Sequence, residues 1–127
     1  MPERQEKVSW FRAPELQVLD DDLHPDGRIA KRRAGDLYDL KASSESMVKP
    51  AGSWNHARVV VRGDHIQHWL NGEKVVDVQR SGPEWEKLLA DSKFAEIEDF
   101  GKARRGYIVL QDHSDPVWFR NIKIREF

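Results

Sequence analysis

Side chains able to do chemistry crowd one turn near the end of this 127-residue sequence. Gln111, Asp112 and His113 precede Ser114-Asp115-Pro116, and Trp118, Arg120 and Asn121 follow it. A plain β-layer needs only residues such as Val, Thr and Lys there. Carboxylate, imidazole, guanidinium and amide groups beside an indole are how a ligand the size of a sugar is held: polar groups meet its hydroxyls and a ring covers its apolar face. A second polar pair, Glu15 and Gln17, alternates with Leu16 and Val18 and so shares one face of an extended segment. Plainer readings stand beside these. Glu15 and Gln17 also fit a solvated strand face, Asp112 and Asp115 fit turn caps, His113 fits a structural turn residue, and Arg120 fits an ordinary ion pair.

Strands are expected on both sides of the turn. Ile108 and Leu110 alternate with their neighbours, as do Ile122 and Ile124, which is the period of half-buried strands. Pro116 lacks the N–H a ladder requires, so the chain must turn there. Residues 1–14 read as polar and irregular, and Glu15 to Asp20 as a strand. Asp20 to Arg33 reads as a long loop with a turn at His24-Pro25-Asp26-Gly27, followed by a short strand over Gly35 to Leu40.

From Asn55 the pattern predicts a meander. Asn55 to Arg62 places Ala57, Val59 and Val61 on one face, Gly63-Asp64 turns the chain, and His65 to Leu70 returns it. Asn71-Gly72 is a strong hairpin signal, because a type I′ turn needs positive φ at both central residues, and Glu73 to Gln79 completes the meander. His56, His65 and His68 are expected on exposed hairpin faces, and Trp54, Trp69 and Trp85 in the core or under a helix. That helix is expected near 83–91: Ser81 or Gly82 caps it, Pro83 suits its first turn, Glu84 and Glu86 favour its positive end, and Trp85, Leu88 and Leu89 form its apolar stripe.

Composition narrows the field. Hydrophobic residues make up 39% and charged residues 34%, enough for one modest core under a highly charged surface. A net charge of −1 gives no electrostatic case for nucleic acid or an anionic membrane. The basic run from Arg28 to Arg33 is offset by Asp20, Asp21 and Asp22 and reads as a solvated loop. Without cysteine there is neither disulfide nor thiolate chemistry, and no apolar run approaches a membrane span.

Several segments occur together in one order: Ala13 to Asp21, His24-Pro25-Asp26, Gly35 to Leu40, Lys49 to Asn55, His68 to Gly72, Ser92-Lys93-Phe94 and Leu110 to Glu126. In them the sequence resembles the 3-keto-disaccharide hydrolase family from about Ala13 onward. The resemblance implies a single all-β domain over 1–127, an antiparallel concanavalin-like jelly-roll β-sandwich with one short surface helix near 83–91. Family members begin well before this point, with strands that include an Asn-Ser-Gly strand ending near an Arg. The sandwich is therefore expected to be incomplete relative to the family, and unpaired edges invite another chain. A homo-oligomer, or a partner chain completing the sandwich, follows as an expectation. So does a bacterial periplasmic or secreted location.

The implied substrates are 3-ketoglycosides, cleaved or hydrated after removal of the proton at C2. Such chemistry needs a base, a group that polarises the carbonyl and an acid for the leaving oxygen. Glu15 and His113 are the candidates for base and acid, and Arg120, always charged, is the candidate polariser. Gln17, Asp20, His24, Gln111 and Asp112 are candidate substrate contacts, with Tyr38 and Trp118 as sugar platforms. No cofactor is expected. A divalent metal on Asp20, His24 and Asp112 is the alternative, although their spacing is not a metal signature. A lectin-like glycan-binding module and a structural subunit remain the non-enzymatic alternatives.

Overall fold

The structure, a computed structural model, describes residues 12–127. The irregular reading of residues 1–11 lies outside the described residues. Asn71 and Gly72 both take positive φ (50° and 87°), the geometry of a type I′ turn. Around that turn the chain forms an antiparallel meander of β1 (Ala57–Arg62), β2 (His65–Leu70) and β3 (Glu73–Gln79), in the order β1-β2-β3. Ala57 faces Leu70 and Arg62 faces His65, while His65 also faces Gln79. The register slips between His68 and Trp69, which pair with Val76 and Lys74. The extra residue, Val75, is buried beside Val76, so the bulge adds one more side chain to the core.

Asn71 does more than turn the chain. Its amide nitrogen donates to Met47 O (2.7 Å) and Asn55 Oδ1 (2.8 Å), and its Oδ1 accepts from His56 N–H (2.9 Å). The hairpin tip thereby fastens the loop before β1.

Ile66 and Leu70 of β2 join Val75, Val76 and Val78 of β3 in one core with Leu37, Leu40, Trp85, Phe94 and Phe100. Phe94 and Phe100 stack at 4.3 Å. The helix α1 (Pro83–Ala90) lies where expected and buries Trp85, although its N-cap Gly82 supplies no side-chain bond. His68 corrects one expectation. Strand alternation puts it on the Ile66 and Leu70 face, only 2% exposed. Its Nδ1 lies 2.9 Å from Gly35 O, and a carbonyl can only accept, so Nδ1 carries the hydrogen. Burial holds the ring below its usual pKa of 6.5, against opposing contributions from the Gly35 bond and Asp36.

Four expected strands take other forms. Glu15 to Asp20 keeps a single bridge, Leu16 to Leu37, and Gly35 to Leu40 is a turn closed by a bridge from Leu37 to Lys41. Residues 107–127 form no ladder among the described residues, and Ile108, Leu110, Ile122 and Ile124 are exposed. Alternation prepares a segment for a sheet, but a strand exists only against a neighbour. On β1, Val59 and Val61 share a face as expected, yet each stays half exposed, because β1 packs on β2 alone among these elements. The antiparallel all-β class with one short surface helix stands. No helix among the described residues is long and apolar enough to cross a membrane.

His68 gives this core an acid sensitivity. Its folded pKa is lowered, so between that value and about 6.5 the unfolded chain binds more protons than the folded one. The stability contribution is complete above pH 6.5 and lost as pH falls toward the folded pKa. His68→Ala should lower stability by about 2–4 kcal/mol at pH 8 through the lost bond and the cavity, and lose less further stability at pH 5 than the parent. Urea midpoints at the two pH values read both effects.

Candidate active site

Three backbone bonds strap the segment carrying Glu15 across the turn after Gly35. Tyr38 N–H donates to Glu15 O (2.9 Å), Gln17 N–H to Asp36 O (3.1 Å) and Gly35 N–H to Gln17 O (2.9 Å). Within that turn Asp39 takes a left-handed φ of 58° and is buried. Its Oδ1 accepts from Arg32 Nε (2.8 Å) and its Oδ2 from Lys93 N–H (2.8 Å). Burial alone would raise the Asp39 carboxyl, but the Lys93 N–H and Arg32 outweigh it and hold the group below the usual carboxylate range.

Anchored in this way, Lys93 turns its ammonium onto Tyr38. Nζ donates to the Tyr38 hydroxyl (2.8 Å) and lies 4.4 Å from the ring centre. Glu15 sits half-buried within its electrostatic reach. Desolvation pushes the Glu15 carboxyl above its ordinary 4.5, and the opposing pull of Lys93 and then His113 does not cancel that rise. His113 in turn tilts against His24, ring centres 6.4 Å apart. Asp26 N–H donates to His24 Nδ1 (3.0 Å), which caps the 3-10 turn Pro25–Arg28 and leaves the neutral ring's hydrogen on Nε2. That turn is tight: a Cβ on Gly27 would overlap the Asp21 carbonyl.

Of the residues expected from sequence, Glu15, His113, His24 and Tyr38 therefore gather in one neighbourhood. The others lie elsewhere or are used locally. Gln17 Nε2 donates to Arg32 O (3.2 Å). Asp20 Oδ1 caps the N–H groups of Asp22 (3.1 Å) and Leu23 (3.2 Å), and Asp112 Oδ1 caps Ser114 N–H (3.2 Å), the plain turn reading. Gln111 and Trp118 are exposed. Arg120 stacks over Trp54, its guanidinium carbon 4.0 Å from the ring centre. That stacking leaves Trp54 47% exposed under a cation, where a core position was expected. Among the described residues, no three His, Asp or Glu side chains converge as metal ligands do.

Lys93 is the site residue that residue-by-residue reading missed. It stands in the Ser92-Lys93-Phe94 segment, but a lone lysine carries no local pattern, and its partners Tyr38 and Asp39 are more than 50 positions earlier in the chain. The arrangement offers a carboxylate of raised basicity, an ammonium and an imidazole. Those groups suffice to take a proton from carbon, stabilise the oxyanion that results and protonate a leaving oxygen. A cavity of about 180 Å³ lies apart from Glu15, between Asp20 to Asp22 and Val48 to Ala51.

Comparison with known proteins agrees with the sequence resemblance. Residues 2–125 match the family model of the 3-keto-alpha-glucoside-1,2-lyase-like domain. A 3-keto-disaccharide hydrolase of Bacteroides thetaiotaomicron is 36% identical over 129 aligned positions, covering 91% of this chain and 44% of that protein. A solved structure from Parabacteroides distasonis, described only as a candidate glycosyl hydrolase, superposes with a TM-score of 0.62 at 28% identity. That match covers 71% of this chain and 44% of the other. The chain thus spans less than half the length of both of these relatives, and over nearly all of its own length it belongs to the 3-keto-alpha-glucoside-1,2-lyase-like domain family.

Proposed function

We propose that this chain acts on 3-ketoglycosides as a lyase and hydratase, with Glu15 as the base. The observation that carries the reading is the half-buried Glu15 carboxyl, raised in pKa yet within the electrostatic reach of Lys93 and His113. A 3-keto group acidifies the hydrogen on C2. Glu15 removes it, and the electron pair forms an enolate across C2 and C3. Lys93 stabilises the oxygen at C3. As the carbonyl re-forms, C1–C2 becomes a double bond and the C1–O bond breaks. His113 protonates the departing oxygen. Water then adds across C1=C2, hydroxyl to C1 and proton to C2, which makes the net change a hydrolysis. Arg120, the polariser expected from sequence, stacks on Trp54, and Lys93 takes that role here. Tyr38 orients the ammonium.

Incubation of the protein with a 3-keto-glucoside, followed by release of the aglycone, tests the reading. Turnover is expected, and an intact folded sample that releases nothing, with and without divalent metal, rejects it. Glu15→Gln should lower kcat by about 10²–10⁴-fold, the usual worth of a positioned base. The acid limb of the parent's kcat/KM profile should titrate above 4.5, because Glu15 must be ionised to act and its pKa is raised. Lys93→Met removes a charge that lowers the Glu15 pKa, so the same limb should move to still higher pH. A limb that stays in place would take Lys93 out of the site.

We also infer that a second copy of the chain covers the apolar residues left open on β1 and in 107–124. Val59 and Val61 are half exposed, and Ile108, Leu110, Ile122 and Ile124 are exposed in a segment that forms no ladder among the described residues. Open edges with apolar faces pair readily. Light scattering on the purified protein should give at least a dimer, and a monodisperse monomer would refute the inference.

A further inference from the structure

The meander has a second face, turned away from the core. Alternation along β1 puts Arg58, Val60 and Arg62 on it, and β2 adds His65, Gln67 and Trp69. With Phe127 these residues line an open groove of about 410 Å³. None of them belongs to the Glu15 site.

Each of the two arginines of the groove sits over an aromatic ring. The Arg58 guanidinium carbon lies 4.5 Å from the Trp69 ring centre, and that of Arg62 lies 4.1 Å from the Phe127 ring centre. Arg125 approaches the same Phe127 ring at 6.0 Å. Among the described residues none of the three makes an ion pair. Asp77, opposite Gln67 on β3, is already engaged. Asp77 takes Lys74 Nζ (2.8 Å), His65 Nε2 (2.6 Å) and Gln67 Nε2 (3.3 Å). Lys74 and then His65 hold its carboxyl at about 2, so its charge is present and spent. Among the side chains that line the groove, Arg58 and Arg62 carry positive charge and none is a carboxylate.

A guanidinium backed by a ring keeps N–H groups that can match a carboxylate in bidentate fashion. Arg58 and Arg62 stand four residues apart on one strand face, a separation of about 13 Å. Two ring-backed cations at that spacing along a groove suit a linear ligand with repeated carboxylates. We propose that this outer face is a binding site for acidic oligosaccharides, with uronate carboxylates seated on Arg58 and Arg62. The choice of a sugar over an acidic peptide rests on the glycoside reading given above. The positive charge and its spacing do not depend on it.

Calorimetry with trigalacturonate, maltotriose and triglutamate on the full chain tests the site. Trigalacturonate should bind and weaken as salt is raised, and maltotriose should not bind. Arg58→Gln with Arg62→Gln should weaken binding by at least about tenfold, as expected on losing charge-assisted bonds. Arg58→Lys with Arg62→Lys, which keeps the charge but not the fork, should fall between that variant and the parent. Circular dichroism checks that each variant is folded, and turnover of a 3-keto-glucoside should be unchanged in both. No binding of trigalacturonate, equal binding of maltotriose, or a folded glutamine variant that binds like the parent would overturn the proposal. Triglutamate binding as tightly as trigalacturonate would overturn it in favour of an acidic protein partner. A protein that binds trigalacturonate but shows no turnover would keep this site and remove the catalytic reading.

Discussion

The buried carboxylate of Asp39 ties the candidate site to the core. Its two oxygens join the side chain of Arg32 to the main chain of Lys93, parts of the sequence about 60 positions apart. The turn that carries it also supplies Leu37 and Leu40, which are 0% and 1% exposed. The same few residues therefore fill the core and aim the Lys93 ammonium. A buried charge that loses one partner costs about 3–5 kcal/mol, so this turn cannot loosen in one role and persist in the other.

How much of this was legible from sequence depends on how local each feature is. The meander was, because Asn71-Gly72 dictates its own dihedral angles and the flanking strands alternate. Helix α1 was, because Pro83 and the stripe from Trp85 to Leu89 sit within one short segment. His68 departs from its expected exposure, and its neighbours Ile66 and Leu70 share its buried face. Its burial depends on Gly35 O, a partner 33 positions away. Residues 107–127 alternate as strands do, but a pattern supplies no neighbouring strand, and the chain there forms no ladder among the described residues.

The candidate site divides along the same line. Glu15, His24, Tyr38 and His113 were nominated and do come together, since each belongs to a compact polar motif on a loop or turn. Asp20 and Asp112 satisfy backbone N–H groups two or three residues away, which is how short acidic side chains behave at turns. Lys93 was passed over because its contribution comes entirely from distant groups.

The position of Arg120 bears on whether Glu15 can serve as a base. A guanidinium in contact with the Glu15 carboxylate would favour the ionised form, lower the pKa and weaken the base. Arg120 instead spends its charge on the Trp54 ring. The nearer cation, Lys93, directs its Nζ to the Tyr38 hydroxyl, and no ion pair to Glu15 is made among the described residues. Burial then outweighs the charges around Glu15 and its pKa rises. An ammonium that is close but not bonded leaves the carboxylate free to accept a proton. It also keeps its own N–H groups available for negative charge that forms one or two bonds further along the substrate. Direct pairing would have lowered the Glu15 pKa, and without it Glu15 keeps the raised basicity on which its proposed role rests.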